Sequence, residues 1–171
     1  MRFRLSGSDA ARRMLAEVYG WLDIALNAMS RGLSMFDADQ RLVVCNDRYI
    51  EMYGLDKELA TPGTPFRKII EARITNGLWV GSTAEDYLNE RLASAHEMQP
   101  NTKVQELSDG RIIAVMHEPM SDGGWVATHE DITEKIEAES RISYMAHHDA
   151  LTGLPNRVVL GTWLQEKLHG V

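Results

Sequence analysis

The chain has 171 residues, enough for one domain of ordinary size with flanking helices. Its formal net charge of −7 disfavours a broad nucleic-acid surface or an anionic membrane as main partner, because both carry the same sign. A single cysteine, Cys45, forms neither an internal disulfide nor a thiolate metal cluster, which fits a reducing, cytoplasmic setting.

Residues 1–30 read as an N-terminal helical segment. Ala11, Leu15, Val18, Leu22, Ala25 and Met29 recur at spacings of four and three, a short coiled-coil seam. It serves either packing within the chain or a dimer contact. Ser8 or Asp9 can cap its start, and Gly20 is expected to break or bend it. GLSMFDADQRLVVCN (32–46) is a hairpin signal, two β-rich runs around Asp37-Ala38-Asp39-Gln40. A short helix follows Asn46, with Tyr49, Ile50, Met52 and Tyr53 on its apolar face and Gly54 at its end.

TPGTP (61–65) is a loop, and PFRKIIEARITNG (65–77) a helix with proline at its start and glycine after its end. The next helix spans 82–98. Ser82 or Thr83 with Glu85 or Asp86 supplies its capping box. Three strands then alternate with tight turns: TKVQEL, RIIAVMHEP and WVATHE. The order predicts an α+β fold, a five-stranded antiparallel sheet with helices on one face, flanked by N- and C-terminal helices. Residues 131–149 read as one long helix, with Asp131 and Glu134 as its capping box. Apolar runs such as LVVC (42–45) are too short to cross a bilayer, so no membrane contact is expected in this segment.

Residues 31–131 resemble a PAS domain. The likeness rests on the element order, on Asn46-Asp47 followed by Tyr49, Met52, Tyr53 and Gly54, and on the closing strand that ends in Asp131-Ile132-Thr133. That triplet is similar to the Asp-x-Thr signature that joins PAS domains to signalling helices, here residues 132–149. HHDALTGLPNR (147–157) holds a segment that looks like the entrance of GGDEF domains, which make cyclic di-GMP from two GTP molecules. Asp149, Thr152, Asn156 and Arg157 match it, and with Asp131 and Thr133 they are the expected signal-transmission residues. Residues 150–171 would then be the truncated start of that domain. The family's Gly-Gly-Asp/Glu-Glu-Phe loop is missing, since Gly123-Gly124 is followed by Trp125. The chain is therefore expected to be regulatory, not an enzyme, and to act as a homodimer. The stripe Leu160, Leu164, Leu168 is expected to pack on another chain or to be mobile.

The resemblance places a small-molecule ligand, if there is one, between the sheet and the helices. Candidate lining residues are Phe36, Tyr49, Met52, Tyr53, Phe66, Ile70, Met116 and Trp125. Each also reads as ordinary core. Haem-binding relatives take a histidine from the helical segment, which has none here, and Cys45 sits on a strand, not in a flavin motif. Both cofactors are disfavoured. His117 and His129 on neighbouring strands suggest a metal site, but an offset along the ladder would separate them, as two partly solvated histidines. The rival readings are a ligand-free dimerisation scaffold and, on His147-His148, the sensor of a histidine kinase.

Overall fold

The computed structural model describes residues 7–81, 83–95, 97–149, 152–156 and 159, with the backbone alone for 7–9. Two compact units divide the chain, Met1–Asp131 and Ile132–Val171. In the first, α1 (Gly7–Asn27) precedes the hairpin β1 (Gly32–Phe36) and β2 (Leu42–Cys45). Helices α2 (Asp47–Tyr53), α3 (Phe66–Thr75) and α4 (Ala84–Ser94) follow. Strands β3 (Asn101–Glu106), β4 (Ile112–Pro119) and β5 (Trp125–Asp131) close the unit.

The sheet order is β2-β1-β5-β4-β3, with every pair antiparallel. The first strand therefore pairs with the last across the helical excursion, with Ser34 opposite Ala127 and Phe36 opposite Trp125. Period-two alternation turns Ser34 and Phe36 inward from β1, and Trp125, Ala127 and His129 inward from β5. The helices bury this face. Its core joins Phe36, Leu42, Tyr49, Met52, Tyr53, Leu55, Ile69, Leu107, Ile113, Trp125 and Ala127.

Local chemistry sets the helix ends. Asn46 caps α2 by accepting from the Tyr49 amide at 3.0 Å. Gly54 ends α2 in the left-handed region at φ 57, where a side chain would be strained. Thr83 and Asp86 form the capping box of α4. In the hairpin, the Asp37 carboxylate accepts from the amides of Asp39 and Arg41.

Three expectations need correction. Helix α1 runs unbroken through Gly20, and it begins at Gly7, so Ser8 and Asp9 lie inside it. One glycine costs a helix only about 1 kcal/mol, which its neighbours carry. Asp131 is not the N-cap residue of the last helix. It ends β5, and Ile132 takes the cap position of α5 (Thr133–His147) without a side-chain hydrogen bond.

Within the second unit, α5 is continuous, and a tight turn closes its end. Asp149 Oδ1 accepts from the amide and the hydroxyl of Thr152, both at 2.9 Å. Gly153 turns the chain at φ 68. Asn156 then donates from its amide side chain to the Ala146 carbonyl at 2.7 Å, and the Tyr144 and His148 rings stack at 4.1 Å. Arg157 and the Leu160, Leu164, Leu168 stripe lie outside the described residues.

Candidate functional site

A cavity of about 50 Å³ lies between the inner face of the sheet and the helices α2, α3 and α4. The sheet supplies Ser34, Phe36, Asn101, Lys103, Val115, His117, Trp125, Ala127 and His129. The helices add Tyr49, Arg73, Arg91 and Ser94. Its apolar wall is an aromatic cluster. Phe36 stacks on Trp125 with centroids 4.8 Å apart, and Phe66 meets both rings edge-on.

The polar wall centres on Arg73, which is 3% exposed. Helix α3 places it on the same stripe as Ile70 and Ile69, three and four residues earlier, so the helix delivers a guanidinium to the core. Its Nη2 donates to the Tyr49 hydroxyl at 2.5 Å, and its carbon lies 3.5 Å from the centroid of the Tyr53 ring. Its Nε is buried without a hydrogen-bond partner.

Beside it runs a neutral polar chain. Gln105 Nε2 donates to the Tyr53 hydroxyl at 3.0 Å, and that hydroxyl meets His129 Nδ1 at 2.8 Å. The Ser34 hydroxyl lies 3.4 Å from His129 Nε2. The three side chains Tyr53, His129 and Ser34 are consistent if the Tyr53 hydroxyl donates to Nδ1 and the His129 proton sits on Nε2, facing the Ser34 hydroxyl, while Gln105 Oε1 is buried without a partner. Burial, helped by the positive charges of Arg73 and Arg91, pushes the His129 pKa well below the usual histidine range, so the ring is neutral. Burial also pushes the Tyr53 hydroxyl up to about 12 and keeps it protonated.

The sequence candidates divide. Phe36, Tyr49, Phe66 and Trp125 line the cavity. Met52, Tyr53 and Ile70 are buried in the core behind it. Met116 is misplaced by one position. It is 38% exposed on the outer face, while its neighbours Val115 and His117 point inward, because successive strand residues face opposite ways. Nor are the two histidines partly solvated: His117 is 7% and His129 3% exposed. The register sets His129 opposite Val115 and His117 opposite Ala127, so they are offset by two residues. His117 instead meets the Glu97 carbonyl at 3.2 Å. Among the described residues no cluster of three or more metal-ligating side chains occurs. Cys45 is half-buried. Burial first, and Asp47 second, push its thiol up to about 11, which leaves it unreactive.

Sequence reasoning missed Arg73, Arg91, Ser34 and the inward place of His129. One signal was available: in FRKIIEARIT an arginine falls on the apolar stripe, where a charge does not belong unless something inside requires it. The transmission residues fall on β5 for Asp131, on the first turn of α5 for Thr133, and in the turn after α5 for Asp149, Thr152 and Asn156.

A family model described as a PAS fold matches residues 26–140. Among solved structures, the PAS domain of Bordetella pertussis BvgS superposes with a TM-score of 0.50 at 15% identity, covering 76% of this chain and 97% of that one. A PAS domain of an HTR-like protein from Haloarcula marismortui gives 0.42 at 18% identity, with 72% and 99% covered. A PAS domain from Colwellia psychrerythraea gives 0.44 at 21% identity, with 68% and 98% covered. Likeness at these identities concerns the fold. Among curated proteins none matches the chain.

Proposed function

The chain belongs to the PAS fold family, a sensory and regulatory domain, and from this premise we propose that it controls an attached diguanylate cyclase through the geometry of a dimer. The observation that carries the reading is the run from sensor to output segment. Strand β5 ends at Asp131, α5 begins at Thr133, and the helix ends in the turn built by Asp149, Thr152 and Asn156. Those turn residues belong to the segment that resembles a GGDEF entrance. The chain itself would regulate, and the chemistry would belong to the domain that the entrance begins.

Two output domains must meet to condense two GTPs, so the packing of two α5 helices can set their activity. A helix pair with two alternative packings needs only a few kcal/mol of bias to switch. Support for a dimer comes from α1. Its seam residues Leu15, Val18 and Leu22 are exposed, as are Met14, Trp21 and Ile24 beside them, and a second copy would cover them. No helix among the described residues is long and apolar enough to cross a membrane.

The test joins residues 1–157 to a diguanylate cyclase catalytic domain and follows cyclic di-GMP formation from GTP. Inserting two residues into α5 rotates everything after it by about 200°, whereas seven residues nearly restore the phase. The two-residue insertion should change the rate at least several-fold, and the seven-residue insertion should leave it near the parent value. A rate indifferent to phase, or a fusion that stays monomeric in light scattering, refutes the proposal.

A further inference from the structure

The cavity carries a charge that the rest of the core does not balance. The chain has 25 acidic against 18 basic residues, yet the cavity wall holds Arg73, Arg91 and Lys103 and no carboxylate. Lys103 is neutralised from outside the wall by Glu97 at 2.5 Å. Arg91 meets the largely exposed Glu90 at 3.4 Å and lies 5.1 Å from the centroid of the Tyr87 ring, and its Nε is buried without a hydrogen-bond partner. Arg73 has no ion pair among the described residues, and its Nε is also unpartnered. A guanidinium does not shed its proton, so burial leaves the charge in place. The rings of Tyr53 and Tyr49 replace part of its lost hydration, at 3.5 and 5.2 Å from their centroids. They cannot accept the Nε hydrogen in its plane.

Most of the neighbouring groups also point to an anion. His129 is neutral and adds no negative charge. The Tyr49 hydroxyl accepts from Arg73 and has its own proton to donate. On the opposite side Phe36, Phe66 and Trp125 form an apolar wall. A planar anion with a short apolar tail matches this division.

We propose that the cavity binds a small aliphatic carboxylate, held in the guanidinium fork of Arg73 and supported by Arg91, with its tail against Phe36 and Trp125. Carboxylate and guanidinium are geometrically matched for a two-bond fork. The size is set by the space: each water needs roughly 10–15 Å³ by this measure, so about 50 Å³ admits a few heavy atoms, as in acetate to butyrate. The binding step stands on the cavity alone. Only its consequence, a ligand that biases the dimer, rests on the cyclase reading.

The experiment is thermal unfolding and titration calorimetry of the 171-residue chain at constant ionic strength. Acetate, propionate and butyrate at millimolar concentration are compared with their amides and with inorganic phosphate. The carboxylates should raise the unfolding midpoint as their concentration rises, and the isosteric amides should not. Arg73→Gln should weaken carboxylate binding roughly ten- to a hundredfold, the range for a lost hydrogen bond to a charged group. Equal responses to acid and amide, no response to any carboxylate, or an unchanged affinity in Arg73→Gln overturns the proposal. A stronger response to phosphate also overturns it, since the site would then not select a planar anion. If Arg73→Gln does not fold, the acid–amide comparison on the unaltered chain decides. Carboxylate binding that leaves the cyclase fusion unmoved would sink the coupling and keep the site. A phase-sensitive fusion blind to carboxylates would do the reverse.

Discussion

Asn46 is 1% exposed and spends its whole side chain on hydrogen bonds between three elements. Its Oδ1 accepts from the amides of Leu33 at 2.8 Å and Tyr49 at 3.0 Å. Its Nδ2 donates to the carbonyls of Leu26 and Arg31, both at 2.9 Å. One residue thus ties the end of α1, the start of β1 and the N-terminus of α2. In Asn46→Ala the Tyr49 amide keeps the Asn46 carbonyl at 3.1 Å, and the Leu26 carbonyl keeps the Met29 amide at 3.3 Å. The Leu33 amide faces its cap with no second partner. The lost cap costs about 1 kcal/mol, the stranded amide about 1–2, and the two carbonyls about 0.5 each. The sum is about 3–4 kcal/mol. Asn46→Asp separates the halves of the clamp: it retains both acceptor bonds but sets a carboxylate against two carbonyl oxygens, so a comparable loss is expected. Urea unfolding followed by circular dichroism measures both. With a slope of about 1–3 kcal/mol per molar, the Asn46→Ala midpoint should fall by roughly 1–3 M at unchanged slope. A midpoint within about 0.3 M of the parent would refute the clamp, and an Asn46→Asp variant as stable as the parent would refute its donor half.

His129 gives the domain an acid sensitivity. Its native pKa is depressed, so between the ordinary value near 6.5 and the native value the unfolded chain binds a proton that the folded chain refuses. Stability is complete above about pH 6.5 and falls with acidification by up to about 1.4 kcal/mol per pH unit. Denaturant unfolding at pH 7.5 and 5.5 should show this. His129→Gln should flatten the slope, leaving the smaller contribution of His117, which burial lowers in the same direction; an unchanged slope refutes it. Two glycines should respond oppositely to alanine. A Cβ at Gly124 would overlap the Phe36 carbonyl and the Met120 side chain, and the loss should exceed about 2 kcal/mol. Gly20 has open space around it in the middle of α1, so Gly20→Ala should be neutral or stabilise by up to about 1 kcal/mol. Calorimetric midpoints of the pair check both signs.

Local patterns were legible because local forces write them. The hairpin, the helix that follows Asn46 and ends at Gly54, the capping box of α4 and the three closing strands each rest on residues within a few positions of one another. The failures have the same root. Asp131 and Glu134 have the spacing of a capping box, but β5 continues to Asp131 because it pairs there with Ile113 of β4. Met116 faces outward, against the sequence expectation, because the phase of a strand within a sheet depends on its neighbours as well as on its own alternation.

The amino-acid order alone determined which segments are helix and strand, where they begin and end to within a few residues, and that β1 and β2 must return to the late strands to complete a sheet. These follow from the periodicities of two and 3.6 and from turn chemistry, which act over short distances. The site was decided only by tertiary structure. Arg73 comes from α3, Tyr49 and Tyr53 from α2, Ser34 from β1 and His129 from β5, segments up to 95 residues apart for the Ser34–His129 pair. Whether a buried guanidinium finds a carboxylate depends on which side chains the sheet order brings beside it, and β5 between β1 and β4 brings a neutral histidine.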